Sequence, residues 1–230
     1  MKPTAGTPVI EWHETLDSTN SEVRRRIREL DNLSVTAALR QTAGRGRGTH
    51  RWCSAAGENL TFSVLLRFST AKPLPGLLPP LAAADQQLIT DITTLSLLAF
   101  LREEGVQARI KWPNDIWVDE RKICGILVEN ILRGPWVESS IVGIGLNLNQ
   151  RRFPDNLPNP TSLSLLTGRK YDLSATLERC CAIYAEYIHK MSDAEGRKSL
   201  AEAFKQHVFI LEESRQQGLD EAIARFEASF

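Results

Sequence analysis

The order of the apolar segments constrains the fold of this chain more than any other feature. A long stretch with the spacing of a buried helix, Gln86–Glu104, lies between two groups of short strand-like runs. Beyond Pro160 the pattern changes to helical. Strands on both sides of a buried helix, followed by a helical tail, predict an α+β fold in which helices flank a mixed β-sheet.

The individual elements are predicted from local periodicity and from turn residues. Strands are expected at Val9–His13, Val35–Arg40, Leu60–Phe68, Ala108–Trp112, Ile116–Val118, Cys124–Leu132 and Glu138–Leu148. Helices are expected at Ser21–Leu30, Gln86–Glu104, Leu173–Met191, Gly196–Leu211 and Asp220–Phe230. We therefore expect one domain over residues 1–191 and a helical C-terminal tail over residues 192–230.

Composition argues against several classes of protein. Lys+Arg and Asp+Glu balance at 28 each, which argues against a protein that binds nucleic acid through bulk charge. The 4 cysteines form no CxxC pair, so we expect no zinc cluster and a reduced, cytoplasmic compartment. The first residues lack a signal-peptide pattern, and no apolar run reaches the ~20 residues of a membrane span, so no membrane contact is expected.

A Gly/Arg-rich segment, Gln41–Gly48, separates two predicted strands and contains Gly44, Arg45, Gly46 and Arg47. Alternating glycines allow close approach of the backbone to a ligand, and successive N–H groups can form an anion-binding concavity. The interleaved arginines can bind phosphate or carboxylate in a bidentate manner. A solvated basic loop and a minor-groove hook are the alternatives. The flanking strands favour a ligand loop, because they hold the segment inside a fold.

A second segment, Lys111-Trp-Pro-Asn114-Asp115, places a lysine at a strand end before a proline turn. The lysine can neutralise phosphate, and the Asn and Asp oxygens are suitable ligands for Mg²⁺. An ordinary surface turn is the alternative, since Pro-Asn-Asp is common turn chemistry.

Glycines inside predicted strands mark two further segments. Gly125 interrupts the run from Arg121 to Glu129, with Lys122 at its start, and the other segment is Gly143-Ile-Gly145-Leu-Asn147. Glycine in a strand indicates either a β-bulge or close approach of another group, such as a flat ligand on the sheet. The second segment is not the dinucleotide fingerprint, because position 148 is Leu where that motif needs Gly.

These segments stand in a fixed order along the chain. The ordered blocks are Ser18-Thr19-Asn20, Gln41–Arg47 with Trp52, Lys111–Asp115, Arg121–Glu129 and Gly143–Asn147. Together they closely resemble the biotin protein ligase family, over about residues 9–190. The resemblance implies a catalytic domain similar to class II aminoacyl-tRNA synthetases. It also implies a ligase that forms biotinyl-5'-AMP from biotin and ATP, and then biotinylates a lysine of a biotin carboxyl carrier domain of a carboxylase.

The resemblance also implies roles for individual residues. Those expected to bind biotin are Ser18, Thr19, Asn20, Gln41, Gly44, Arg45, Gly46, Arg47, Lys122, Gly125 and Gly143, with Gly145 completing the floor of the pocket. Those expected to bind ATP are Arg47, Trp52, Lys111, Asn114, Asp115, Lys122 and Asn147, where Trp52 and Asn147 would contact adenine. Arg47, Lys111, Asp115 and Lys122 would be catalytic, and Asp115 would also bind Mg²⁺.

Two departures from the family pattern bear on activity. Gly48-Thr49-His50-Arg51 replaces a more arginine-rich continuation, so His50 or Arg51 could substitute for an adenylate-ordering arginine, although the favoured interpretation of His50 is a solvated loop residue. The helical tail stands where the family usually has a small β-barrel. No helix-turn-helix segment precedes the blocks, so DNA binding is not expected, and a homodimer is allowed. The alternative functions are a lipoate or octanoate ligase relative and a biotin-binding protein with weak transferase activity.

Overall fold

The computed structural model describes residues 8–70, 72–191, 194–210 and 216–228. Residues 1–7 lie outside the described residues. They belong to the N-terminal segment in which the sequence shows no signal-peptide pattern. Leu211 and Phe230, the predicted ends of the last two helices, also lie outside the described residues. Within the described residues, no helix is both long and apolar enough to cross a membrane.

Eight strands of the described residues form one mixed β-sheet in the order β1-β2-β3-β7-β6-β5-β4-β8. The strands are β1 (Ile10–Leu16), β2 (Val35–Gln41), β3 (Leu60–Arg67), β4 (Arg109–Lys111), β5 (Asp115–Val118), β6 (Arg121–Arg133), β7 (Trp136–Leu146) and β8 (Val208–Phe209). The β1/β2 and β4/β8 pairs are parallel, and the other neighbouring pairs are antiparallel. The predicted α+β architecture with a mixed sheet is therefore confirmed.

Six α-helices accompany the sheet in the described part of the chain. They are α1 (Thr19–Arg25), α2 (Gln87–Glu103), α3 (Leu163–Thr167), α4 (Leu173–Lys190), α5 (Ala194–His207) and α6 (Gln216–Ala228). Helix α1 is shorter than predicted, because the chain forms turns after Arg25 rather than a further helical turn. Helix α3 and a short 3-10 helix, Ala83–Asp85, were not predicted.

The two faces of the sheet carry different cores, because side chains alternate along each strand. Phe62, Val142 and Ile144 belong to the large core shared with α2, α4 and α5. Leu65 and Ile141 face the opposite side, where Val23 of α1 completes a small second core. Helix α1 thus covers only part of this second face, and the rest of the face is available for a site.

The tail joins the main core rather than standing apart from it. Phe204 of α5 is fully buried, and Leu200 is almost so. After α5, the two-residue strand β8 pairs with β4, through Ile110–Val208 and Lys111–Phe209. The rest of the described tail consists of helices α5 and α6.

Candidate functional site

A cavity of about 770 Å³ opens on the sheet face that carries α1. Four parts of the chain line it: the start of α1, the Gly/Arg loop as far as Trp52, the turn from Trp112 to Asp115, and the middle of β6 and β7. Four of the five sequence blocks thus contribute most of their predicted residues to one cavity, and the fifth contributes its glycines.

The start of α1 forms a buried polar cluster at one end of the cavity. Gln41 Oε1 accepts hydrogen bonds from the Thr19 backbone N–H at 2.8 Å and from the Thr19 hydroxyl at 3.3 Å. Ser63 Oγ lies 2.7 Å from Thr19 Oγ1 and 2.6 Å from Asn20 Oδ1. Ser63 was not predicted from the sequence, because a serine in an apolar strand belongs to no motif. Its position between Phe62 and Val64, which face the main core, is the one signal that Ser63 faces the opposite side of the sheet.

Glu129 connects this cluster to the Gly/Arg loop. Its carboxylate accepts from Asn20 Nδ2 at 2.9 Å and from both terminal nitrogens of Arg45 at 2.9 Å, and Arg24 lies 3.1 Å away. Burial opposes ionisation, but the hydrogen bonds from Asn20 and Arg45 outweigh it and hold the pKa of Glu129 below its usual value. The Arg45 side chain is therefore engaged with protein, which leaves its backbone for a ligand.

The Gly/Arg loop folds back over the sheet as a small hairpin. Gly46 N–H donates to His50 O at 2.9 Å, and Trp52 N–H donates to Gly44 O at 3.1 Å. A Cβ atom at position 44 would lie 2.4 Å from Trp52 O, so this close approach requires glycine. Most of this loop is exposed to solvent, but it is a hairpin folded over the sheet and not an extended hook.

Three sheet glycines make room for side chains of the protein itself. A Cβ at Gly145 would lie 2.3 Å from Trp52 Cε2, and one at Gly143 would lie 2.2 Å from Asn20 Oδ1. At Gly125 the nearest atom is Trp52 Cζ3, at 3.0 Å. All three line the cavity, and Asn20 and Trp52 occupy the space that a Cβ at Gly143 or Gly145 would need.

Lys122 and Asp115 form an ion pair at the centre of the cavity wall. Lys122 Nζ lies 2.7 Å from Asp115 Oδ1 and 5.7 Å from the centroid of the Trp52 ring. Asn114 is fixed beside them, since its Nδ2 donates to Ile126 O at 2.8 Å. The structure thus brings these three predicted residues together.

Two residues predicted to bind ATP lie elsewhere. Lys111 does not line the cavity, because its Nζ lies 4.5 Å above the Trp117 ring. Asn147 is 5% exposed, and its Nδ2 donates to Thr161 O at 2.9 Å. In this geometry the Asn147 amide fixes the segment that follows β7 onto the sheet, and its contact with adenine stays a prediction. Lys111 lies outside the cavity lining, with its Nζ over the Trp117 ring, so its catalytic role also stays a prediction.

The described cavity lining is strongly cationic. It includes Arg45, Arg47, Arg51 and Lys122, of which Arg45 is paired with Glu129 and Lys122 with Asp115, the only carboxylate of that lining. Within the described residues, Arg47 makes no side-chain hydrogen bond or ion pair that would compete with a ligand. His50 also lines the cavity, so either His50 or Arg51 remains placed to replace the missing family arginine. This balance of charge suits an anionic ligand.

A divalent metal would find one protein carboxylate here. No group of three or more potential His, Cys, Asp or Glu ligands occurs in the described part of the chain. Mg²⁺ is commonly held by one or two carboxylates together with phosphate oxygens and water. Asp115 fits that donor set, provided that a phosphate supplies the remaining ligands.

Several known proteins resemble this chain in sequence and fold. The family model described as "Biotin/lipoate A/B protein ligase family" matches residues 8–147. The "Bifunctional ligase/repressor BirA" of Bacillus subtilis is 33% identical over 176 residues, which cover 73% of this chain and 50% of that protein. The "Biotin--[acetyl-CoA-carboxylase] ligase" of Paracoccus denitrificans is 35% identical over 175 residues, covering 74% and 69%. The chain thus spans about half the length of the BirA relatives.

Solved structures give the same result for the fold. A biotin protein ligase from Aquifex aeolicus in complex with biotin and ATP is 29% identical, with a TM-score of 0.66 over 83% of this chain and 74% of that one. A biotin protein ligase from Leishmania major in complex with biotin, 22% identical, has a TM-score of 0.66 over 88% and 82%. The predicted fold class, similar to class II synthetases, is confirmed.

Proposed function

The chain belongs to the biotin/lipoate A/B protein ligase family, and we propose that it is an ATP-dependent biotin–protein ligase. In the first step it would form biotinyl-5'-AMP and pyrophosphate. In the second it would transfer biotin to a lysine of a biotin carboxyl carrier domain. The observation that carries the proposal is the single cavity in which Arg47 and the Lys122–Asp115 pair adjoin the buried polar cluster of α1.

The first step requires two anions to approach each other. A biotin carboxylate oxygen attacks the α-phosphorus of ATP, and the electron pair of the broken P–O bond leaves with pyrophosphate. Arg47 and Lys122 supply positive charge where negative charge accumulates, inside a cavity that a folded loop partly covers. Because the biotin carboxylate is itself the nucleophile, this step needs none from a side chain.

The polar cluster at the start of α1 supports biotin as the carboxylate substrate. The ureido ring of biotin offers two N–H donors and one carbonyl acceptor, so it needs hydroxyl and amide groups in fixed positions. The backbone N–H and the hydroxyl of Thr19 both donate to Gln41 Oε1, which fixes the two side chains relative to each other. A hydrogen bond between the Ser63 and Thr19 hydroxyls holds Thr19 further. The Aquifex aeolicus relative was solved with biotin and ATP.

The second step requires a neutral amine. At a reference pKa of about 10.4, the carrier lysine is mostly ammonium at neutral pH and must lose a proton before it attacks the acyl carbon. The bond between the acyl carbon and the phosphate oxygen then breaks, and AMP leaves with its electron pair. Asp115 would orient or deprotonate this amine, which its position as the one carboxylate in the described lining supports.

Asp115 would also contribute to Mg²⁺ binding, with ATP phosphates as the other ligands. The bound ion would neutralise phosphate charge. Before a nucleotide arrives, Lys122 holds the Asp115 carboxylate in place at 2.7 Å.

The partner and the compartment form part of the proposal. The Paracoccus denitrificans relative is named as a ligase of acetyl-CoA carboxylase, which supports a carboxylase carrier domain as the acceptor. Cys53, Cys124, Cys180 and Cys181 are all free thiols, which suits a reducing compartment such as the cytoplasm.

One assay tests the proposal. The protein is incubated with biotin, ATP, Mg²⁺ and a biotin carboxyl carrier domain, and both pyrophosphate and labelled carrier are measured. We expect both products. Pyrophosphate without labelled carrier would instead identify a weak transferase that retains the adenylate. Transfer of lipoate or octanoate with no use of biotin would contradict the biotin assignment.

A further inference from the structure

A second cavity, of about 350 Å³, adjoins the first. Arg47, Asn114, Ile126 and Leu127 line both, so the two cavities are neighbours that share these residues. The rest of the second cavity is formed by the first turn of α2 and the residues just before it, by Pro113, by Val128 and Asn130 of β6, and by Arg225 of α6. The C-terminal tail thus contributes a cation next to the proposed reaction site.

Packing against the site fixes the position of α6. A Cβ at Gly218 would lie 3.0 Å from the Trp112 ring, and that tryptophan lines the first cavity. Leu219 is 5% exposed and belongs to the main core. Arg225 lies about two helical turns beyond Gly218, so α6 runs along the cavity from Trp112 to the second opening.

The lining of the second cavity is suited to an anion with several oxygens. Arg47 and Arg225 provide guanidinium groups, and no carboxylate occurs among its described lining residues. The amides are preset by hydrogen bonds: Asn130 Nδ2 donates to Gln86 Oε1 at 2.7 Å, and Asn114 Nδ2 to Ile126 O at 2.8 Å. Each such amide keeps a second N–H, and guanidinium groups bind phosphate oxygens in a bidentate manner.

From this juxtaposition, and resting on the proposed function, we propose that the second cavity binds the β- and γ-phosphates of ATP and that Arg225 is a binding residue for them. Arg47, at the junction, then lies beside the α-phosphate. When the biotin carboxylate bonds to the α-phosphorus, the bond to the α–β bridging oxygen breaks. Its electron pair leaves with pyrophosphate, which stays between Arg47 and Arg225 until release.

The test is the Arg225→Gln variant, with Lys198→Gln of α5 as the matched control, because Lys198 is an exposed cation of the same tail that lines neither cavity. Removing one charge-assisted hydrogen bond to phosphate weakens binding about 10- to 100-fold. We expect the KM for ATP and the Kd of inorganic pyrophosphate, measured by calorimetry, to rise at least about tenfold. Biotin affinity and transfer from preformed biotinyl-AMP should remain as in the wild type, because neither ligand contains these phosphates.

Two results would overturn the inference. One is an unchanged pyrophosphate affinity in Arg225→Gln. The other is a variant that uses ATP normally but transfers poorly from preformed biotinyl-AMP, which would make the second cavity part of the acceptor surface. Pyrophosphate binding is measured without turnover. A wild-type protein that binds pyrophosphate through Arg225 but makes no biotinyl-AMP would therefore contradict only the proposed function.

Discussion

Lys122 interacts with two protein groups at the position where the substrates would bind. Its ammonium pairs with Asp115 at 2.7 Å, and it also lies near the face of Trp52, at 5.7 Å. The sequence could indicate Lys122 as an anion-binding residue, because its block resembles a family motif. It could not indicate the Asp115 partner, because that contact depends on the antiparallel pairing of β5 with β6.

Replacing Lys122 with Ala should nearly abolish adenylate formation while the protein stays folded. The carboxylate and the phosphate would lose a shared cation, and Asp115 would be left without its ion pair, adding a repulsive charge near both anions. We expect a loss of at least about 100-fold in kcat/KM for pyrophosphate release, the size typical of a lost charge-stabilising donor. Arg121→Gln, which changes the exposed neighbouring cation, is the control. Unchanged pyrophosphate release in Lys122→Ala would remove Lys122 from this role.

At the scale of single elements, the glycines of β7 illustrate what sequence patterns leave undetermined. A glycine inside a strand indicates close approach of another group, and this holds for both Gly143 and Gly145. The approaching groups are Asn20 and Trp52, from segments far away in sequence, rather than a ligand. Local spacing reveals that something lies close to a strand, whereas its identity depends on the folded loop.

Gly145→Ala should therefore displace Trp52 and disturb the whole Gly/Arg loop. The new Cβ would lie 2.3 Å from Trp52 Cε2, whereas in Gly125→Ala the nearest atom would be 3.0 Å away. We expect a clear change in tryptophan fluorescence and a several-fold rise in the KM for ATP for Gly145→Ala, with smaller changes for Gly125→Ala. Similar effects from both variants would contradict this placement of Trp52.

Helix α2 contains a buried carboxyl group that should make stability depend on pH. Burial raises the pKa of Asp91 to about 8, against a weaker opposing effect of the hydrogen bond from Gln87. The unfolded chain releases this proton near a pKa of about 3.9, so the folded protein alone holds it between about pH 4 and about pH 8. The contribution of Asp91 to stability is therefore complete below that window, and it declines as pH rises through it.

Asp91→Asn should remove this decline. We expect the free energy of unfolding of the wild type, relative to Asp91→Asn, to fall by more than about 1 kcal/mol between about pH 5 and about pH 8. Asp155→Asn, at an exposed carboxylate, should leave the wild-type profile unchanged. Chemical denaturation at several pH values measures the difference, and parallel curves for the wild type and Asp91→Asn would show that Asp91 is already ionised in the folded protein.

For the whole molecule, the sequence predicted the class of fold and most element positions, because long periodic segments reveal burial directly. It could not give the strand order, since β3 lies beside β7 and β8 beside β4 through contacts between distant segments. Strand β8 itself has two residues, too few for any periodicity. The candidate cavity was predictable where motifs exist. The contact of Ser63 with Thr19 and the place of Arg225 in the second cavity were not, because both depend on tertiary packing.

The relation of the tail to the rest of the chain can be tested by one core substitution. Phe204 of α5 is fully buried against the core that also contains Phe100 of α2. If the tail folds as part of that core, Phe204→Ala should lower the free energy of unfolding by about 3–5 kcal/mol, as Phe100→Ala should. Both variants should still unfold in a single transition monitored by circular dichroism and fluorescence. A separate early transition in Phe204→Ala, with the main transition unchanged, would instead indicate that residues 192–230 unfold as an independent unit. The role of Arg225 would then depend on how that unit packs against the rest of the chain.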